Sequence, residues 1–306
     1  MRTVTSRQNP LVRACRALAD GPATADRVLL DGTHLVREAM SAGLQMEIVL
    51  VAISKIDSHG ASHGAGHSAG HSAGFRSEEG ALAHELDRAH VDVVAVSDTV
   101  LAAASPVRTP SGILAIATRR HIPAARDVFC DPRALIVVAV DVQDPGNVGA
   151  LIRVAEAGGA TGACICGASA HPFSWRALRG GMGSTLRLPT VSGLSAHGAL
   201  DAMIDAGLQT VAAVAHDGED PDAIDWRGRT ALLLGGEGQG LSADLVARCQ
   251  ARVTIPMAAA VESLNVAAAG AILVYAARRQ RTPQRPPQRL PERLPRRLPQ
   301  HSPERT

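Results

Sequence analysis

The stretch ALIVVAVDVQDPGNVGALIRVAEAGGA, residues 134–160, decides how this chain is read. Residues 134–140 are a near-continuous apolar run, as expected of a strand buried on both faces of a parallel sheet; a half-exposed strand would alternate. Asp144, Pro145 and Gly146 then turn the chain, and Asn147 is placed to cap a helix over 147–157. Arg153 follows six residues later, about one and two-thirds turns along a largely apolar helix. A buried strand running into such a helix start puts two polar groups where open α/β sheets bind ligands, outside the carboxyl ends of their strands.

The same alternation continues toward the C-terminus. GACICG (162–167) reads as a second strand, 195–206 as a helix, and QTVAAVA (209–215) and TALLLGG (230–236) as strands. A short helix starts at Ser242, VTIPM (253–257) is a last strand, and a long helix sets in at about Ser263. These elements predict an α/β domain over 133–279.

Toward the N-terminus, residues 5–20 hold a short amphipathic helix, RVLLDG (27–32) a strand and turn, and HLVREAMSAG a helix ending at Gly43. MEIVLVAI, VDVVAVS (91–97) and GILAIA (112–117) add strands, so a smaller α/β domain over 1–118 is expected, with a linker at 119–132. A low-complexity His/Gly/Ser segment interrupts it at about 58–80. His59, His63, His67 and His71 recur every four residues there, but the Gly, Ser and Ala between them disfavour a helix and offer no core. A flexible surface insertion is the expectation, not a metal site. Residues 280–306 are rich in Arg and Pro, which leaves polyproline-like or disordered chain.

Composition narrows the function classes. Aromatic residues are 2% of 306, which argues against a base-stacking platform of the kind many single-strand binders use. The five cysteines, at 15, 130, 164, 166 and 249, make neither an even framework nor a C-x-x-C pair and read as reduced core residues. No apolar run reaches membrane length and MRTVTSRQNP has no signal-like apolar region, so a cytoplasmic location is expected. Residues 278–306 carry nine Arg against two Glu, so the net charge of +2 leaves about −5 on the preceding body. A body of that sign would not hold a polyanion by bulk charge; phosphate contacts have to come from local Arg clusters or from the tail.

Two further motifs and one basic segment complete the candidates. In ALLLGGEGQGLS (231–242), a buried-type strand runs into four glycines around Glu237 and Gln239. It is neither a dinucleotide fingerprint after a first strand nor a phosphate-binding loop, which needs a terminal G-K-S/T. In VTIPMAAAVESLNVAAAGAILVYAARR (253–279), a strand gives way to a small-residue loop, and Ser263 is placed to cap an Ala-rich helix with Asn265 near its positive end. HPFSWRALRGGMGSTLRLP (171–189) carries Arg176, Arg179 and Arg187 in a Gly-rich setting suited to phosphate.

The ordered motifs N147-V-G-x-x-x-R153, L234-G-G-E237-G-x-G240-L and I255-P-M with E262-S-L-N-V266 resemble the SpoU/TrmH family of SPOUT RNA methyltransferases. The likeness covers nearly all of 134–279 and extends more weakly to L30-D-G-T-H-L-V-R-E-A39 and T109-P-S-G-I-L114, which look like a ribosomal-protein-like substrate-binding domain. Ser111, where the family usually has Gln, and the His/Gly insertion depart from the pattern.

The resemblance implies an α/β domain with a deep trefoil knot behind a small α/β RNA-binding domain. It also implies S-adenosyl-L-methionine as cofactor without a metal, a homodimer with no membrane association, and transfer of a methyl group to a ribose 2'-hydroxyl of structured RNA. Large-subunit ribosomal RNA is expected ahead of transfer RNA, and a non-catalytic RNA-binding member is the other alternative. Carried over at matched positions, Arg153, from its own or the partner subunit, lies at the hydroxyl and assists its deprotonation, Asn147 orients this region, and Glu237 organises the loop. Ser263 and Asn265 position Arg153 and the cofactor or RNA. Leu234, Gly235, Gly236, Gly240, Ile255, Met257, Ser263, Leu264 and Asn265 surround the cofactor, while Arg153, Arg176 and Arg179 face RNA.

Overall fold

The computed structural model describes residues 1–21, 26–56, 77–258 and 261–282; the histidine run and the tail from 283 on lie outside the described residues. Up to residue 118 the elements are β1 (Arg2–Val4), α1 (Pro10–Asp20), β2 (Arg27–Asp31), α2 (Thr33–Ser41), β3 (Gln45–Ala52), α3 (Ile53–Ile56), α4 (Glu78–Arg88), β4 (Val93–Val96), α5 (Asp98–Ala104) and β5 (Ile113–Thr118). Then come α6 (Ala125–Phe129), β6 (Leu135–Val140), α7 (Pro145–Gly158), β7 (Gly162–Cys166), α8 (Trp175–Gly181), α9 (Ser184–Arg187), β8 (Thr190–Ser192) and α10 (Ala196–Asp205). The chain closes with β9 (Gln209–Ala213), β10 (Thr230–Gly235), α11 (Ala243–Arg248), β11 (Ala251–Val253) and α12 (Val266–Arg281).

Strands β6–β11 form one parallel sheet in the order β11-β9-β10-β6-β7-β8. Side chains of β6 alternate between its faces: Leu135, Val137 and Ala139 enter a core with α7, α8 and α12, while Ile136, Val138 and Val140 enter another with α6, α10 and α11. Covering on both sides is what the uninterrupted apolar run requires. The chain builds β6, β7 and β8 in one direction, then returns to place β10 against β6, with Gly235 in register with Val140. The carboxyl ends of β6 and β10 therefore flank the point where strand order reverses, the position where such sheets bind ligands.

The first sheet, β1-β4-β3-β5-β2, is mixed, with β5 antiparallel to both neighbours. One face packs on α1 and α5; the other packs on α2 and α4 and also takes in Phe173 and Leu178 from the second half of the chain. Ala177, one residue before Leu178, is buried in the core of the parallel sheet. Helix α8 thus joins the two units with adjacent side chains. Its other contact is with α7, where backbones meet: a Cβ added at Gly149 would overlap the Ala177 carbonyl oxygen, and one at Gly180 would lie 2.9 Å from the Gly146 carbonyl oxygen.

Several expected boundaries are corrected. Asn147 does not cap α7; Asp144 does, its Oδ1 accepting from Asn147 N at 2.8 Å, which lets Pro145 occupy the first turn. Ser263 does not cap the last helix either: Asn265 does, accepting from Ala267 N and Ala268 N at 2.9 and 3.3 Å. The strand expected over 253–257 is β11, ending at Val253, after which the Thr254 amide turns to Glu219. Residues 119–132 contain α6, whose Val128 and Phe129 are buried under the parallel sheet. Helix α12 continues through Gln280 and Arg281, two residues into the stretch read as tail. The Arg281 guanidinium holds it there by donating to the carbonyls of Trp226, Arg133 and Ala134 at 2.6, 2.9 and 2.9 Å.

Gly149→Ala is expected to cost about 2–3 kcal/mol, because its methyl would meet backbone that cannot rotate away. Urea unfolding checks this; a loss below about 0.5 kcal/mol would mean that α7 and α8 separate freely.

Candidate active site

A cavity of about 580 Å³ opens at the carboxyl ends of β9, β10 and β11, against the start of α12. All nine residues expected around a cofactor line it: Leu234, Gly235, Gly236, Gly240, Ile255, Met257, Ser263, Leu264 and Asn265. Ala213, Val214 and Ala215 add a wall from the end of β9 that sequence reasoning missed. Their residue types read as plain core, and only the strand's place in the sheet reveals them. A larger cavity of about 810 Å³ lies beside α11 and the 217–219 turn and contains none of the motif residues.

The glycine loop is shaped by the backbone next to it. A side chain on Gly235 would overlap the peptide of Gly240 and Leu241, and one on Gly236 would overlap the Asp141 carbonyl. Gly238 and Gly240, with φ of 90° and 65°, face open space. The cavity mixes apolar side chains with backbone groups along the loop, and among the described residues Glu237 and Glu262 are its ionisable lining residues. Such a lining suits a flat apolar ring system with a cationic centre. Among the described residues it offers no basic cluster for a polyphosphate.

Three residues from distant parts of the chain meet at the rim in a directed chain of hydrogen bonds. Asn265 Oδ1 accepts the two amides of α12, so its Nδ2 is left to donate, and it does so to Asn147 Oδ1 at 3.1 Å. The Asn147 amide nitrogen in turn donates to Glu237 Oε1. Each amide has its orientation set by the one before it, and the last partner must be an acceptor, which Glu237 Oε1 provides. These three expected site residues are brought together. Ser263 lines the cavity, exposed and making no hydrogen bond among the described residues.

Arg153 is not brought to this rim. It sits about 9 Å along α7 from Asn147 and about 120° around it, exposed and without a hydrogen bond or ion pair among the described residues. Arg176 and Arg179 are exposed on α8, with the Arg176 guanidinium 5.0 Å from the Trp175 ring centre. Arg187 is occupied: it pairs with Glu38 and Glu156. Arg119 stacks 3.5 Å over Phe173 at the joint between the units, where burial lowers its pKa to about 10 and leaves it charged at neutral pH. Burial, and then that charge, also hold the His171 pKa below its usual value. Among the described residues no group of three or more His, Cys, Asp or Glu is arranged to hold a metal, and no helix is long and apolar enough to cross a membrane.

A doubly covered parallel sheet with a cavity at the carboxyl ends of its strands and a polar rim is an α/β arrangement suited to binding a ligand, and comparison with known proteins narrows it. The model of the SpoU rRNA Methylase family matches residues 134–275. An uncharacterized tRNA/rRNA methyltransferase of Synechocystis sp. is 33% identical, over 91% of this chain and 94% of its own. The 23S rRNA (guanosine(2553)-2'-O)-methyltransferase RlmP of Bacillus subtilis is 28% identical, over 81% of this chain and 86% of its own. The crystal structure of an AdoMet-bound rRNA methyltransferase from Sinorhizobium meliloti superposes with a TM-score of 0.73 at 26% identity, covering 91% of this chain and 97% of that one. The chain belongs to the SpoU/TrmH family of RNA methyltransferases. Its architecture is the family's, an α/β domain of the knotted SPOUT type preceded by a small α/β domain.

Asn265→Asp separates capping from relay, since Asp caps as well as Asn but cannot donate to Asn147. Thermal stability is expected to stay within about 0.5 kcal/mol while methyl transfer falls at least about tenfold. Unchanged turnover would remove the relay from the reaction.

Proposed function

We propose that this chain methylates a ribose 2'-hydroxyl in 23S ribosomal RNA, with Asn147, Arg153, Glu237, Ser263 and Asn265 as its catalytic set. S-adenosylmethionine-dependent RNA 2'-O-methylation is the activity of its family; 23S RNA is the narrower claim. The Bacillus subtilis relative named for a 23S guanosine supports it, because that match takes in 81% of this chain and so reaches into the N-terminal unit. The observation that carries the reading is the motif-lined cavity with the Glu237–Asn147–Asn265 chain on its rim.

When bound, S-adenosylmethionine supplies a methyl carbon made electrophilic by its sulfonium. Leu234–Gly236, Gly240, Ile255, Met257 and Ser263–Asn265 would hold it, largely through backbone groups and apolar contact. Glu237 and Glu262, with no cationic side chain among the described lining residues, give the site a potential that favours a positive centre. Arg153 keeps its proton under ordinary conditions, so its contribution is to fix the hydroxyl oxygen and stabilise the negative charge that develops there, the proton passing to a phosphate oxygen of the RNA. Proximity of hydroxyl and methyl carbon supplies much of the rate, and no metal has a part. Arg176 and Arg179 bind phosphates of the incoming strand.

Arg153 lies about 120° around α7 from Asn147, which supports a reading in which a second copy brings an arginine to each cavity. Helix α12 exposes Ile272 and Tyr275, at 44% and 46%, and the loop before it exposes Leu264; beside them α7 exposes Ala150, Val154 and Ala157 at least in part. This apolar face suits a homodimer that sets Arg153 at the partner's cavity. The enzyme acts in the cytoplasm, where ribosomal RNA is available.

Incubation of the protein and S-adenosylmethionine with unmodified ribosomal RNA and, separately, unmodified transfer RNA, followed by mass-spectrometric mapping, tests the reading. One 2'-O-methylated nucleotide in 23S RNA, lost at least about a hundredfold in Arg153→Ala, is expected. Methylation confined to transfer RNA would overturn the substrate, and full activity of Arg153→Ala would overturn the mechanism.

A further inference from the structure

We propose that Arg187 is a positioning residue for methyl transfer, tying the N-terminal unit through Glu38 to the helix that bears Asn147 and Arg153 through Glu156. The proposal rests on the reading that the N-terminal unit seats the RNA. Arg187 closes α9, and its Nε and Nη2 donate side by side to Glu156 Oε1 and Oε2 at 2.7 and 2.8 Å. The remaining terminal nitrogen, Nη1, meets Glu38 Oε2 from α2. A guanidinium has a rigid fork of donors, so it can take one carboxylate bidentately and still reach a second on its other side. Lysine presents a single point of charge and cannot reproduce this geometry.

The residues around the clamp are arranged to keep it in place. Gly183, at φ 88°, lies directly beneath it, and an added Cβ there would come within 2.6 Å of Glu38 Cγ and 2.8 Å of Arg187 Nη1. One turn earlier on α2, on the same face as Glu38, the His34 Nε2 lies 3.2 Å from the Met182 carbonyl oxygen. α2 therefore rests along the turn between α8 and α9 through a backbone contact and an ion pair. Glu156 is three residues beyond Arg153, on the adjacent turn of α7. Without Arg187, Glu38 and Glu156 would face each other as like charges.

An exposed ion pair would carry little; here Arg187 is exposed, at 39%, but both carboxylates it joins are half-buried, at 24% for Glu38 and 29% for Glu156, and one arm is bidentate. The consequence is that an RNA held by the N-terminal unit meets α7 at one fixed setting. Arg187 is then spent on two carboxylates and does not serve as a phosphate contact, unlike Arg176 and Arg179 beside it. A loosened clamp leaves binding intact and lowers the fraction of bound RNA correctly aligned.

Steady-state kinetics of the full-length protein on unmodified ribosomal RNA, with S-adenosylmethionine affinity from calorimetry, test this. Glu38→Gln, Glu156→Gln and Arg187→Gln should each lower kcat about three- to tenfold, with KM for RNA and cofactor Kd within about twofold. Arg187→Lys should recover only part of the loss, and the Glu38→Gln/Arg187→Gln double variant should be no slower than Arg187→Gln alone. Wild-type kcat in Glu38→Gln and Arg187→Gln, multiplying effects in the double variant, or a loss confined to KM would overturn the clamp. Should Arg187→Gln fail to fold, the near-isosteric Glu38→Gln and Glu156→Gln variants carry the same comparison. If the wild-type protein methylates neither ribosomal nor transfer RNA, the functional reading fails and the clamp with it, whereas an active wild type with unaffected variants overturns the clamp alone.

Discussion

Everything at the site depends on one run of hydrogen bonds, from the first turn of α12 through Asn265 and Asn147 to Glu237. Its members are separated by 118 and 90 positions along the chain, so no local preference could assemble them. Two unsatisfied amides at a helix start need an acceptor, and Asn265 supplies it; this leaves its amide nitrogen with one sense in which to donate. The requirement is handed on until it ends at a carboxylate. Glu237 stands on the glycine loop that walls the cavity, so capping of α12, the start of α7 and the shape of the loop are set together.

That run can exist only because the helices on its side of the sheet are held to close tolerance. α12 is pinned at its far end, where Arg281 donates to carbonyls at the base of the sheet, and its near end is consequently held at the strand ends. α7 meets α8 backbone to backbone at Gly149 and Gly146, leaving no layer of side chains to give way. α8 places Ala177 in the parallel-sheet core and Leu178 in the N-terminal core. The N-terminal unit is therefore one short helix away from the residues at the rim, and Glu38 reaches Arg187 across the same joint.

What the sequence disclosed and what it hid follow from the range of the forces involved. The apolar run at 134–140 is legible because burial on both faces leaves an unbroken pattern, and the glycine loop because close backbone approach at Gly235 and Gly236 and positive φ at Gly238 and Gly240 favour glycine. The helix caps were read one capping residue away from the truth, Asn147 for Asp144 and Ser263 for Asn265. In both cases two good capping residues stand within three positions of each other, and the choice is made by a partner distant in sequence. The Ala213–Ala215 wall was hidden because small apolar residues look the same under a core and beside a cavity. Arg187 read as one more basic group in a loop, since neither of its carboxylates is near it in sequence.

The proposed action of Arg153 across a dimer is the sharpest claim drawn from this arrangement, since Arg153 lies about 120° around α7 from Asn147. Complementation between Arg153→Ala and Glu237→Ala, co-expressed with different tags and purified as mixed dimers, measures it directly. Each variant alone should be nearly inactive, while the mixed dimer, which keeps one intact cavity facing one intact arginine, should recover about half the wild-type methylation per dimer. A mixed dimer as inactive as its parents would contradict the claim that the arginine acts across the pair.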